Sequence, residues 1–245
     1  MNLTNHRHAG HWVCGATVCI VMLVSSEQSG AEMPPVRVWG ELGYDFRQEN
    51  FENGNDTLEN AIIARLNGST YLYQPWIATI EGGIGLDLRR TERDTVDTSS
   101  DNITGYGRLR LFPRSRFPFE AFADVTDSRS DSDLAGLDIE RTRVGFIQRY
   151  TSTKGDAYKL RYEHTNHLND SRSSAGTTVL REDVADLVQA SYNKSFNAHN
   201  IYFDSQLNVV DRVDSPDRNK TIFTSLRHTY TPGPTLSAED MLTYN

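Results

Sequence analysis

The sequence of 245 residues predicts an all-β protein of consecutive antiparallel strands, and three observations predict it. Apolar residues occupy alternate positions in one short segment after another, the links between these segments alternate in length, and helical periodicity is almost absent. Successive side chains of a strand point to opposite faces, so each segment has one apolar and one polar face. Such a sheet needs an apolar cover on one side, which is either a second sheet or the hydrocarbon of a membrane.

The N-terminal residues have the pattern of a secretory signal peptide. A polar segment containing Arg7 precedes an uncharged run from Trp12 to Val24, and the small residues Ser29-Gly30-Ala31 follow it. The run is shorter than the roughly 20 apolar residues that a membrane-spanning helix requires. We therefore expect residues 1–31 to be a signal peptide that is removed on export, and residues 32–245 to form the folded domain.

About eleven strand candidates follow the signal peptide, each near the 9–11 residues (about 30 Å of tilted strand) with which a β-strand crosses a bilayer. In the third of them, Ile80, Ile84 and Leu86 alternate with Glu81 and Asp87. In chain order the candidates are Val36–Gln48, Leu58–Leu72, Ala78–Leu88, Ile103–Leu111, Phe117–Val125, Thr142–Tyr150, Tyr158–His164, Val184–Tyr192, Ile201–Val209, Ile222–Tyr230 and Leu236–Tyr244.

Two acidic residues interrupt the pattern in the later strands. Asp186 falls on the apolar side of the eighth candidate, and Asp240 is a blemish in the last one. The sixth and seventh candidates keep the alternation. In the sixth, Val144 and Phe146 alternate with positions that carry arginines, and in the seventh, tyrosines alternate with positions that include Lys159.

The links between the candidates are alternately long and short. The short links contain Pro, Gly or Asn, which favour tight turns, and aromatic residues gather beside them. Short periplasmic turns and longer outer loops are typical of a barrel in the outer membrane. The long links are 48–57, 91–102, 127–137, 166–178 and 211–220; the short links are 73–76, 112–118, 151–156, 193–197 and 231–234.

Taken together, these features resemble the outer-membrane β-barrel proteins of Gram-negative bacteria. The resemblance covers essentially the whole mature chain, and no motif connects the sequence to a specific family within that class. It implies an all-β, antiparallel up-and-down transmembrane β-barrel in the outer membrane, in contact with membrane lipid and lipopolysaccharide and inserted by the outer-membrane insertion machinery. Two features depart from the class. The strand number is odd, whereas barrels of this class have an even number, and the sequence stops at Tyr244-Asn245 instead of at a final strand whose last residue is aromatic. Either the chain is the N-terminal part of a larger barrel, which we expect, or one strand is miscounted.

If the apolar faces contact lipid, the alternate residues line a charged lumen. The lumen is then either a hydrated pore whose charges select solutes or a closed interior that salt bridges fill and stabilise. Across the 112–118 turn, Arg110 is expected to lie opposite Glu120. The predicted lumen-lining residues are Glu81, Asp87, Arg89, Arg108, Arg110, Glu120, Asp124, Arg141, Arg143, Arg149 and Arg161. The predicted lipid-facing residues are Ile80, Ile84, Leu86, Leu109, Leu111, Phe119, Val144 and Phe146.

No motif in the sequence indicates catalysis, a cofactor or a metal. His164 and His167 are three residues apart, so on one strand they face opposite sides, and Cys14 and Cys19 lie in the removable segment. The net charge of −8 argues against nucleic-acid binding. We expect a porin-like or transport- or export-associated pore that is not an enzyme and has no cofactor; the alternatives are an outer-membrane barrel enzyme and a secreted soluble β-sandwich or repeat protein.

Overall fold

The regular structure of the chain is entirely β-strand in the part that a computed structural model describes, namely residues 14–15, 18–25, 35–49, 56–93, 96–133, 135–173, 175–213, 215, 218–233 and 236–244. The strands are β1 (Cys14–Gly15), β2 (Val18–Ser25), β3 (Arg37–Glu49), β4 (Thr57–Leu72), β5 (Ala78–Arg93), β6 (Val96–Leu111), β7 (Phe119–Ser132), β8 (Ala135–Thr151), β9 (Ala157–Ser173), β10 (Thr178–Phe196), β11 (His199–Arg212), β12 (Arg218–Gly233) and β13 (Leu236–Tyr244). Within these ranges no helix has the length and apolar character needed to cross a membrane.

All the strands belong to one antiparallel sheet with up-and-down topology. From β3 onward each strand pairs with the next one in the chain, and this gives the eleven strands that the sequence predicts. The predicted all-β up-and-down fold is therefore confirmed. Within the described residues β13 pairs only with β12, so the sheet is open along that edge.

The N-terminal strands lie along the other edge of the sheet. Both β1 and β2 pair with β3 in antiparallel register, from Cys14 opposite Gln48 to Ser25 opposite Arg37. The remaining residues of the predicted signal peptide lie outside the described part of the chain, and its cleavage stays a prediction.

Strands β4 to β12 are longer than the sequence predicts, and the predicted extent of the long links is wrong: those at 91–102, 127–137, 166–178 and 211–220 shorten to 94–95, 133–134, 174–177 and 213–217. Strands β4 to β12 have 14 to 19 residues, and β5 and β6 remain paired from Ala78 opposite Leu111 to Arg93 opposite Val96. The Asp, Asn and Ser residues of these segments are disfavoured in strands by propensity alone. Here the backbone ladder continues past the apolar segment, because its hydrogen bonds do not depend on which side chains cover the faces.

The sheet lacks the second layer that a β-sandwich requires. The only buried apolar side chains among the described residues are Ala61 and Ala78, whereas Ile84 and Ile103 are 66% and 51% exposed. A soluble sandwich buries the apolar faces of its two sheets against each other. The alternative of a soluble β-sandwich is therefore wrong for the described chain.

Aromatic rings form a row across the sheet beside the short links. The Phe117 and Tyr150 ring centroids are 4.5 Å apart, those of Tyr150 and Tyr158 are 5.7 Å apart, and those of Tyr158 and Tyr192 are 4.7 Å apart. Rings with a polar tip favour the boundary between headgroups and hydrocarbon. This row is the arrangement that the sequence predicts for an aromatic girdle.

Candidate functional site

The pairing register separates the side chains of the sheet into two faces. Residues directly opposite each other share a face, so Glu81 lies beside Arg108, Arg110 beside Glu120, and Asp124 beside Arg143. We call this the polar face and the opposite one, which carries Ile84, the apolar face. All the predicted lumen-lining residues fall on the polar face and all the predicted lipid-facing residues on the apolar face. What each face contacts stays a prediction.

Three carboxylates of the polar face are more sheltered than Ile84 and Ile103 on the apolar face. The carboxylates of Glu120, Asp124 and Glu163 are 17%, 19% and 14% exposed. In a water-soluble sheet the apolar face is the sheltered one. This inverted exposure is what a sheet surrounding a polar interior shows.

Arg110 connects two strands on the polar face. Its Nε lies 3.2 Å from Glu120 Oε2 on β7, and its Nη1 lies 3.3 Å from Glu81 Oε2 on β5. The predicted pairing of Arg110 with Glu120 is confirmed. One guanidinium with two carboxylates leaves this group with a net negative charge.

Arg143 forms a second ionic group two strands further along. Its Nη2 donates to Asp124 Oδ2 at 2.7 Å, and its Nη1 lies 4.0 Å from Glu163 Oε2. Arg161 also donates to Glu163. The group is balanced, with two guanidinium and two carboxylate groups across β7, β8 and β9.

Tyr106 lies between the ionic groups and was missing from the predicted site. Its hydroxyl donates to Asn67 Oδ1 at 3.0 Å and lies 3.5 Å from Glu81 Oε1. Its ring covers Gly83, where an added Cβ would lie 2.7 Å from Tyr106 Cε1. The sequence signal is the glycine, which inside a strand marks the close approach of another group.

The apolar face ends at a line of charged residues. On β5, β6, β8, β11 and β12 the apolar segment is close to the 9–11 residues, roughly one bilayer crossing, expected for a membrane strand, and on β7 and β10 it is shorter. Asp127 lies level with Glu140, and the other neighbouring residues of the line are offset by two or more residues in the register. The first charged residues beyond the apolar segments of β5, β6, β7, β8, β10, β11 and β12 are Arg90, Asp101, Asp127, Glu140, Asp186, Asp211 and Lys220.

Asp186, the residue that breaks the predicted alternation, has two partners at this line. Tyr162 Oη donates to its Oδ1 at 2.8 Å, and His164 Nδ1 lies 2.9 Å from the same oxygen. His167 lies on the opposite face, across from Arg141, so the two histidines do not meet. Among the described side chains, no group of three or more His, Cys, Asp or Glu is arranged to hold a metal ion.

Removing the Arg143 guanidinium tests whether the ionic groups stabilise the sheet. Arg143→Gln leaves the sheltered Asp124 carboxylate without its charged donor, and we expect the free energy of unfolding to fall by about 1–3 kcal/mol. The matched control is Arg172→Gln, which breaks an ion pair with Asp131 whose side chains are 59% and 61% exposed. There the expected loss is about 0–1 kcal/mol. Urea unfolding of the refolded chain in lipid measures both, and equal losses would contradict a stabilising role for the polar face.

Comparison of the sequence with protein families and with curated proteins finds no match. Comparison of the structure finds the siderophore receptor PiuA from Acinetobacter baumannii, with a TM-score of 0.60 and 8% identity over 91% of this chain and 48% of the receptor. The RagAB peptide transporter matches with a TM-score of 0.57 and 11% identity over 87% of this chain and 34% of the transporter chain. The siderophore receptor PirA from Pseudomonas aeruginosa matches with a TM-score of 0.53 and 9% identity over 97% of this chain and 44% of the receptor. The chain spans less than half the length of each. These are outer-membrane β-barrel proteins, and the chain has their fold.

Proposed function

We propose that this chain forms part or all of an outer-membrane β-barrel that works as a transport pore, with the polar face lining the lumen. The observation that carries the proposal is the inverted exposure of the sheet. Several of its carboxylates are sheltered and paired with arginines, and its apolar side chains lie on the other face with no protein layer over them in the described residues. Hydrocarbon is the cover that such an apolar face requires.

The apolar band and its borders support a position in the membrane. The aromatic row containing Tyr150 and Tyr158 lies at the end with the short turns, and the line of charges containing Asp127 and Glu140 lies at the other end. Between them the band has the height of a bilayer crossing. We place the links 73–77, 112–118, 152–156 and 197–198 in the periplasm. The opposite ends of the hairpins, where the strands continue past the apolar band, then lie outside the cell in contact with lipopolysaccharide.

The polar face supports transport rather than catalysis. Its carboxylates are mostly engaged by guanidinium groups, as Glu120 is by Arg110 and Asp124 is by Arg143. Because these carboxylates are held in ion pairs with arginines, we do not assign them the role of a general acid or base. The proposed function is therefore non-enzymatic, and it needs no cofactor.

Fractionation tests the proposed location. The folded chain is expected to sediment with the outer membrane and to migrate faster on a gel before boiling than after it, because a folded barrel resists detergent. Recovery in the soluble periplasm would contradict the location and, with it, the proposed lipid contact of the apolar face.

Ion selectivity in a planar bilayer tests the pore. We expect single-channel conductance, and we expect Lys159→Glu on the polar face to move the reversal potential in a salt gradient toward cation selectivity. Arg129→Glu makes the same charge change on the other face, beyond the apolar band, and should leave the reversal potential unchanged. A chain that inserts and shows heat-modifiable migration but stays silent would contradict the open pore.

A further inference from the structure

A cleft on the polar face is lined by groups that bind anions. It has a volume of about 380 Å³ and spans strands β5 to β8. Three guanidinium groups line it, from Arg108, Arg141 and Arg143, together with the Tyr106 side chain. Thr104, Gly105, Val125 and Thr126 complete its lining with the carboxylates of Glu81 and Asp124.

The acidic residues of the cleft are already committed to partners. Asp124 accepts two hydrogen bonds from Arg143, at 3.0 and 2.7 Å. Glu81 pairs with Arg110, which lies outside the cleft. Arg108 and Arg141 are the two guanidinium groups of the cleft that these pairs leave without a carboxylate partner.

Arg108 and Arg141 form no ion pair with any described residue. Arg108 lies directly opposite Glu81 in the register, yet its guanidinium carbon lies 5.7 Å from the centre of the Tyr106 ring instead of on the carboxylate. Arg141 lies opposite Thr126 and His167. The two arginines are on strands separated by one other strand, and Arg141 is level with Thr104, four residues from Arg108, so their backbones are about 16 Å apart and only their long side chains can approach a common ligand.

From this arrangement we propose that the cleft is a binding site for a small oxyanion, a phosphate or carboxylate group, held between Arg108 and Arg141. A planar guanidinium donates two parallel hydrogen bonds to either kind of group. The hydroxyls of Thr104 and Thr126 supply neutral donors around the same space. A small oxyanion is then the solute class of the proposed pore. This assignment rests on the proposed function, because that function places the cleft within the lumen.

The site is tested on the full chain refolded in detergent by calorimetric titration with inorganic phosphate and, separately, with succinate. We expect saturable binding of at least one of them. Arg108→Gln and Arg141→Gln should each weaken it by about tenfold or more, the cost of losing a charged hydrogen-bond partner. Arg149→Gln is the matched control, because it removes the same charge from the same face outside the cleft, and should weaken binding by less than about twofold.

The outcomes separate the site from the pore. Binding of phosphate alone, of succinate alone or of both, each lost in the two cleft variants, supports the site and identifies its oxyanion. An equal loss in Arg149→Gln, or no saturable binding of either anion, overturns it. If the chain binds an anion in this way but does not conduct ions, the proposed site is supported and the proposed pore is wrong. If the chain conducts ions without such binding, the proposed pore is supported and the proposed site is wrong.

Discussion

Replacing Ile84 with arginine is expected to lower the stability of the chain in lipid more than any other single change on the apolar face. Ile84 lies halfway along the apolar segment of β5, opposite Leu66 and Gly105, and is 66% exposed. An arginine at the bilayer midplane on the lipid side of a barrel costs about 2–4 kcal/mol. Reversible unfolding in lipid vesicles measures this loss.

Leu88→Arg is the control for depth, because it lies on the same strand and the same face as Ile84. Leu88 is opposite Asp101 and beside the charged line, so an arginine there reaches headgroups and a carboxylate. The expected cost near the interface is about 0–1 kcal/mol. Equal costs at the two positions would show that no depth-dependent hydrocarbon layer covers this face, and the membrane orientation would be wrong.

Gly145→Ala is expected to be among the most destabilising changes on the polar face. A Cβ at this position would overlap the carbonyl oxygen of Tyr162 and would lie 2.7 Å from Phe122 Cζ. Arg143 lies over that ring, with its guanidinium carbon 5.4 Å from the ring centre, so moving Phe122 also disturbs the ion pair with Asp124. Overpacking of this kind costs about 1–3 kcal/mol.

Gly107→Ala provides the matched control for the glycine substitution. Nothing lies within 4 Å of a Cβ added at Gly107, which is also in the interior of a strand. Alanine there restricts the unfolded chain and is expected to be neutral or to stabilise by about 0.4–1 kcal/mol. Denaturant midpoints of the two variants give the comparison, and the same loss in both would mean that strand glycines matter for flexibility and not for the fit of Phe122.

The contacts of the polar face indicate how a pore could remain open with so many charges. Arg110 and Arg143 hold their carboxylate partners close to the wall, at 3.2 and 2.7 Å. Ion pairs of this kind keep the charged side chains close to the sheet, so that they need not fill the centre of the proposed lumen. In the proposed pore Arg108 and Arg141 are the arginines of the cleft available to a passing solute, so we expect their substitution to affect recognition more than stability.

Features with a local cause were predicted from the sequence. The face on which Ile84 or Glu81 lies follows from a period of two residues, which any strand imposes. The opposition of Arg110 and Glu120 follows from alternation on both sides of the 112–118 link, which joins β6 and β7 as neighbouring antiparallel strands.

By itself, then, the sequence determined the all-β class, the number of strands from β3 onward and the composition of each face, because alternation and turn chemistry act over a few residues. Only the tertiary structure decided the register across the outer hairpins, where polar segments that resemble loops continue as paired strands. That register brings Arg143 to Asp124 and His164 to Asp186. Strand pairing over such distances depends on the summed backbone hydrogen bonds of the whole ladder, and no short sequence window contains that information.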